Sequence, residues 1–185
     1  MSKPELRQII RSAVAALSPE EIALMDQQII STVLTSQNFM PNSSIACYMP
    51  LKGEVSCKAL IQTLSSQGHT ICLPAVVGRE SALIFRQYKP GEKLERGMVG
   101  ALEPARSARE VIPDIIILPM MGFTRSKYRL GYSTGFYDRT LEAFQHNKPV
   151  RTIGLAYSLQ EMEKFPAEPH DIPLDIIITE KEIIT

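Results

Sequence analysis

The sequence lacks several things, and each absence narrows what it can be. No apolar run approaches the roughly 20 residues that a membrane-spanning helix requires. The opening MSKPELRQIIRSAVAAL interrupts its apolar residues with polar ones, so it does not read as a secretory signal, and Glu5 argues against a transit peptide. There is no excess charge of either sign, since 20 Lys and Arg balance 20 Asp and Glu. No global field draws the chain to nucleic acid or an anionic membrane, so any anion must be held by a local arrangement. Cysteine is scarce and odd in number: Cys47, Cys57 and Cys72, without C-x-x-C spacing. That argues against a disulfide framework or a zinc site and favours a reducing, cytoplasmic setting with the thiols as small core residues.

What is present is ordinary for a globular protein: 185 residues, 44% hydrophobic and 22% charged. This predicts one domain over residues 1–185 with a sizeable core. Leu6, Ile9, Ile10, Ala13, Val14 and Leu17 recur at helical spacing. Ser18-Pro19-Glu20-Glu21 reads as a fresh helix start, with serine as cap, proline in the first turn and Glu21 closing a capping box. Ile22, Met25, Ile29 and Val33 carry that helix to about Thr35, so the two form a helical hairpin.

From residue 44 the pattern alternates. SIACYM, TICLPAVV, ALIFRQY, DIIILPM, RTIGLAY and LDIIIT read as strands, with VSCKALIQTLSSQGH a helix ended by Gly68 and another helix over about 135–146. The unbroken apolar run DIIILPM suits a strand covered on both faces. The expected fold is α/β: a three-layer α/β/α arrangement with a largely parallel central sheet, preceded by the N-terminal hairpin. Lys89 to Pro113 reads as a long surface excursion.

One loop stands out. RLGYSTGFYDR, residues 129–139, leaves the greasiest strand and feeds a helix. Ligands in parallel sheets gather at such places. Gly131 and Gly135 free the backbone, Ser133 and Thr134 offer hydroxyls, and the helix N-terminus favours an anion. Arg129 suits a two-pronged grip on phosphate, and Asp138 suits a magnesium ion bridging to one. The plainer reading stays open at this point, because a glycine–serine loop is commonly just a connection. Phe136 and Tyr137 would then be core aromatics, and Asp138–Arg139 a surface pair. Neither the P-loop lysine pattern nor G-x-G-x-x-G is present.

The stretch DIIILPMMGFTRSKYRLGYSTGFYDRTL resembles the signature of the 5-formyltetrahydrofolate cyclo-ligases, the methenyltetrahydrofolate synthetases, where a strand ending in proline leads to R-L-G-x-G-x-G-Y-Y-D. KPELR (residues 3–7), CYMPLKGEVSCKALI, ALEP and EPHDIPLDIIITE match further family segments in order. The resemblance implies an ATP- and Mg2+-dependent closure of 5-formyltetrahydrofolate to 5,10-methenyltetrahydrofolate, so the expected partners are small molecules; the chain is expected to act as a monomer. It implies that Lys3, Pro4, Glu5, Leu6 and Arg7 meet ATP together with the loop Arg129, Leu130, Gly131, Tyr132, Ser133, Thr134, Gly135, Phe136 and Tyr137. Met49 and Glu54 would hold the folate, with residues 132–136 facing it too. Asp138 and Asp171 would hold Mg2+, while Arg129 and Tyr137 serve the chemistry. No catalytic role falls to His170, and His69 and His146 look peripheral.

The chain also departs from the family pattern. Ser133 stands where the central glycine is common, Tyr132 and Thr134 replace frequent basic residues, Phe136 replaces a tyrosine, and Val99 stands where an aromatic is common. Two alternatives follow: a nucleotide- or folate-binding protein without turnover, or a ligase for another N-formyl substrate.

Overall fold

Two serine–proline–acid starts set the first two helices. The computed structural model describes residues 2–132, 135–147 (side chains to 145), 149–165 and 171–185. Helix α1 (Lys3–Ala15) is capped by Ser2, whose hydroxyl accepts from the Glu5 N–H while Glu5 accepts from the Ser2 N–H. Helix α2 (Pro19–Ser36) repeats the device with Ser18 and Glu21, as its sequence predicts. The same four-residue signature at Ser2–Glu5 was equally legible. Helix α1 buries Ile10 and Val14 and packs chiefly on the 3-10 turn Ser158–Gln160; α2 buries Ile29, Ile30 and Val33.

The sheet follows. Its strands are β1 (Ser44–Ala46), β2 (Thr70–Ala75) and β3 (Ile84–Gln87), then, beyond two short hairpins, the rest. The first hairpin is β4 (Glu95–Arg96) with β5 (Leu102–Glu103). Next comes β6 (Ile115–Pro119), then the second hairpin, β7 (Gly122–Phe123) with β8 (Arg129–Leu130). Last are β9 (Arg151–Leu155), β10 (Ile176–Ile178) and β11 (Ile183–Ile184). The main sheet has the order β11-β10-β9-β6-β1-β2-β3. Pairs among β10, β9, β6, β1 and β2 are parallel; β3 and β11 join antiparallel at the edges.

Side-chain alternation explains why β6 is apolar throughout. Ile115 and Ile117 point into a core shared with α1, α2 and α3 (Lys58–Ser66), alongside Ile29, Val33, Leu60 and Leu64. Ile116 and Leu118 point the other way, into a core shared with α4 (Phe136–Asn147) through Leu141 and Phe144. Helices thus cover both faces, giving the expected three layers.

Two expectations need adjusting. The strand at SIACYM pairs regularly only over Ser44–Ala46, because Tyr48 turns inward and donates its hydroxyl to the Val55 carbonyl at 2.7 Å. The stretch Lys89–Pro113 is not wholly surface: its β4–β5 hairpin folds against the end of β2 and buries Glu103. Strands of two residues are too short to show a period, so nothing in the sequence announced them. The three cysteines are buried and free, as expected of core residues. Among the described residues no helix is long and apolar enough to cross a membrane.

Candidate functional site

The chain steps from β1 outward to β2 and β3, then crosses back to β6 on the other side of β1. That reversal splays the connections apart and leaves a crevice beyond the carboxyl ends of the strands. A cavity of about 360 Å³ lies there. Tyr48, Met49, Leu51 and Glu54 line it from the segment after β1, and Pro119 from the end of β6. The β4–β5 hairpin supplies a wall running from Val99 to Glu103. Arg129, Gly131, Tyr132 and residues 135–138 close the remaining side.

Arg129 organises this last wall. Its side chain is only 3% exposed, ion-paired with Asp138 in the first turn of α4 and reaching the Ile172 carbonyl at 3.4 Å. A carboxylate at that helix end is favoured by the aligned peptide dipoles. Gly135 just before the helix has φ +65°, a conformation that side chains resist. Gly131 needs no such freedom; it has open space where a Cβ would project, which leaves its backbone approachable from the cavity. Ser133, Thr134 and His170 lie outside the described residues.

Helix α1 supplies two cations one turn apart. Arg7 donates Nε–H to the Gly131 carbonyl at 2.8 Å, and Lys3 pairs with Asp171 at 3.4 Å while lying over the Phe165 ring. Asp171 precedes Ile172, whose carbonyl meets Arg129. Lys3, Arg7, Arg129, Asp138 and Asp171 therefore form one connected group from three distant parts of the chain. Of the other N-terminal candidates, Glu5 and Pro4 serve the helix start and Leu6 packs on the core; none of the three lines the cavity.

On the opposite wall Glu54 is buried and accepts the Leu51 N–H at 2.7 Å. Burial raises its pKa above the ordinary carboxylate range, and hydrogen bonds from Leu51 and the Tyr132 hydroxyl offset this in part. Burial, with the Glu54 charge next in weight, pushes the hydroxyls of Tyr132 and Tyr137 well up, so both remain neutral donors. Phe136 and Tyr137 serve both readings of the loop, since they pack on the α4-side core and also line the cavity. Met49 lines the cavity as expected, and Val99 does so from the hairpin. Tyr48, Val76 and Glu103 line it as well, without having been singled out beforehand. The alternation Leu102-out, Glu103-in spans two residues and gives no usable signal.

Fold and site together define an α/β protein whose cavity sits at the strand-order reversal, with a cationic group beside it and an apolar, carboxylate-bearing pocket within. The sequence model of the 5-formyltetrahydrofolate cyclo-ligase family matches residues 1–180, and the chain belongs to that family. A 5-formyltetrahydrofolate cyclo-ligase of Haemophilus influenzae is 34% identical over 182 residues, 95% of this chain and 97% of its own. That of Escherichia coli is 32% identical over 180 residues, 95% and 98% respectively. Two solved 5,10-methenyltetrahydrofolate synthetases share the fold. The Aquifex aeolicus structure has TM-score 0.84 and 31% identity, covering 99% of this chain and 92% of that one. The Mycoplasma pneumoniae structure has TM-score 0.78 and 29% identity, covering 97% and 99%.

Proposed function

We propose that the chain closes 5-formyltetrahydrofolate to 5,10-methenyltetrahydrofolate with cleavage of ATP to ADP and phosphate. One observation carries the reading beyond family membership. Residues 129–132 and 135–138 form a shared wall, tied to Arg7 of α1 through the Gly131 carbonyl and facing the Glu54 pocket. Two ligands meeting across that wall is the arrangement the reaction needs.

A formamide oxygen is a poor leaving group. The formyl oxygen attacks the γ-phosphorus of ATP, and the bond to ADP breaks. The folate N10 then adds to the formyl carbon, the carbon–oxygen bond breaks, and phosphate departs with that oxygen and, in the balance, the N10 proton. The protein's part is positioning and charge stabilisation. Lys3, Arg7 and Arg129 supply positive charge for the phosphates, and the loop N–H groups and the start of α4 supply dipoles. Tyr137, neutral and at the cavity wall, donates a hydrogen bond. Glu54 accepts from the pterin, and Met49 packs on it.

Asp138 and Asp171 would hold Mg2+. Mg2+ is bound through one or two carboxylates together with phosphate oxygens and water, so Asp138, paired with Arg129, and Asp171, next to the Ile172 carbonyl that Arg129 reaches, suit a magnesium–nucleotide pair. The bound ion supplies neutralisation of phosphate charge. We place the protein in the cytoplasm as a monomer acting on small-molecule substrates.

The test is a continuous absorbance assay for the methenyl product with purified protein, 5-formyltetrahydrofolate and Mg-ATP. Steady turnover supports the proposal. Tight binding of both ligands without product would establish a binding protein instead, and ATP cleavage triggered only by another N-formyl compound would reassign the substrate.

A further inference from the structure

We infer that Glu103 is a second acceptor carboxylate of the substrate cavity, taking an N–H of the bound reduced pterin on an edge that Glu54 does not reach. The inference rests on the proposed function and adds a specificity residue to it.

Glu103 sits on the β4–β5 hairpin, where Leu102 is 48% exposed and Glu103 only 6%. Its carboxyl is built into place from two sides. Oε1 accepts the Val76 N–H at 3.0 Å, just past the end of β2. Behind it stands Gly97, where a Cβ would come within 2.1 Å of the carboxyl carbon and Oε1. The hairpin therefore needs glycine at 97 for close approach. Glu103 itself lines the cavity.

Among the described residues this carboxylate has that one hydrogen bond and no ion pair. One donor leaves most of its acceptor capacity unfilled, because each carboxylate oxygen can accept about two hydrogen bonds. A ligand with N–H groups completes it. Glu54 faces the same cavity from the segment after β1, so two acceptors approach from two different elements. A reduced pterin carries N–H donors on more than one edge, at the 2-amino/N3 side and at N8. A nucleotide's phosphates would be repelled by both acids.

A purely structural role, tying the hairpin to β2, makes a different prediction. In Glu103→Gln the amide oxygen still accepts from Val76, while the cavity now meets an NH2 donor in place of an acceptor. We expect the KM for 5-formyltetrahydrofolate to rise about tenfold or more, as loss of a charge-assisted hydrogen bond implies. The KM for ATP should stay at its wild-type value, and the thermal midpoint should not fall. A folate KM within twofold of wild type, or a rise confined to ATP, would overturn the inference while wild-type turnover leaves the proposed function standing. Failure of the wild-type protein to turn over would instead strike the proposed function. If Glu103→Gln does not fold, Gly97→Ala displaces the same carboxyl by its methyl group, and the same folate-selective loss is expected; equal losses for both substrates would count against the inference.

Discussion

Arg7 on the first helix donates its Nε–H to the carbonyl oxygen of Gly131 at 2.8 Å, across 124 residues of chain. The bond fixes a loop carbonyl and leaves the rest of the guanidinium for an anion. Through it the N-terminal helix becomes part of the site. Arg7→Ala should raise the KM for ATP about tenfold, by the same scale that applies to a single charge-assisted hydrogen bond. Arg7→Lys should recover little, because an ammonium cannot hold the carbonyl and present a planar fork together. Equal KM values in all three proteins would remove α1 from the nucleotide site.

Asp138 and Arg129 should behave as one unit. Removing Asp138 leaves an almost fully buried guanidinium unpaired, so Asp138→Ala should lose about 3 kcal/mol of stability in urea unfolding. Arg129→Ala strands a carboxylate that is 21% exposed and should lose less. The double variant should be less destabilised than the sum of the two singles. Turnover should fall at least about tenfold in each single variant, the scale of one misplaced phosphate contact. Additive losses would mean that the pair does not couple.

The glycines of the loop should separate by role. Gly135→Ala places a side chain at φ +65° and should lose on the order of 1 kcal/mol of stability. Gly131→Ala meets nothing within 4 Å and should keep its thermal midpoint while weakening ligand binding, since its methyl enters the approach to the backbone. Circular dichroism melts and a nucleotide titration read both outcomes.

Glu54 ties stability to pH. Burial raises its folded pKa, so its contribution to stability is full below the unfolded carboxylate range and is lost as pH rises through the raised folded value. Glu54→Gln should therefore be more stable than wild type at neutral pH. The difference should shrink as pH falls to about 4.5, the ordinary glutamate value. The same variant should bind folate poorly at every pH. A difference that grows on acidification would reverse the sign and refute the assignment.

Thiol chemistry provides an independent check on the fold. Burial pushes the Cys57 and Cys72 thiols up to about 12, and Cys47 is raised well above its usual value by burial as well. The native protein should show no fast-reacting thiol towards an aromatic disulfide reagent at neutral pH, and all three should react after denaturation. A fast-reacting native thiol would contradict the packing around β1 and β2.

The sequence by itself determined the layers and the loop. Ile115–Leu118 is apolar at every position because both faces of β6 are covered, and Ser18–Glu21 carries its own cap, so both features depend on near neighbours. The family segments were legible for the same reason: KPELR and RLGYSTGFYDR are contiguous. Tertiary structure alone decided which charges meet. Nothing near Arg129 in the chain says that Asp138 pairs with it while Ile172 takes its other arm, or that Lys3 reaches Asp171. Those contacts follow from the crossing of β6 back past β1, which brings α1, the loop and residue 171 to one place. The inward turn of Glu103 belongs to the same class, because a two-residue strand has no period and only the end of β2 gives its carboxyl a donor.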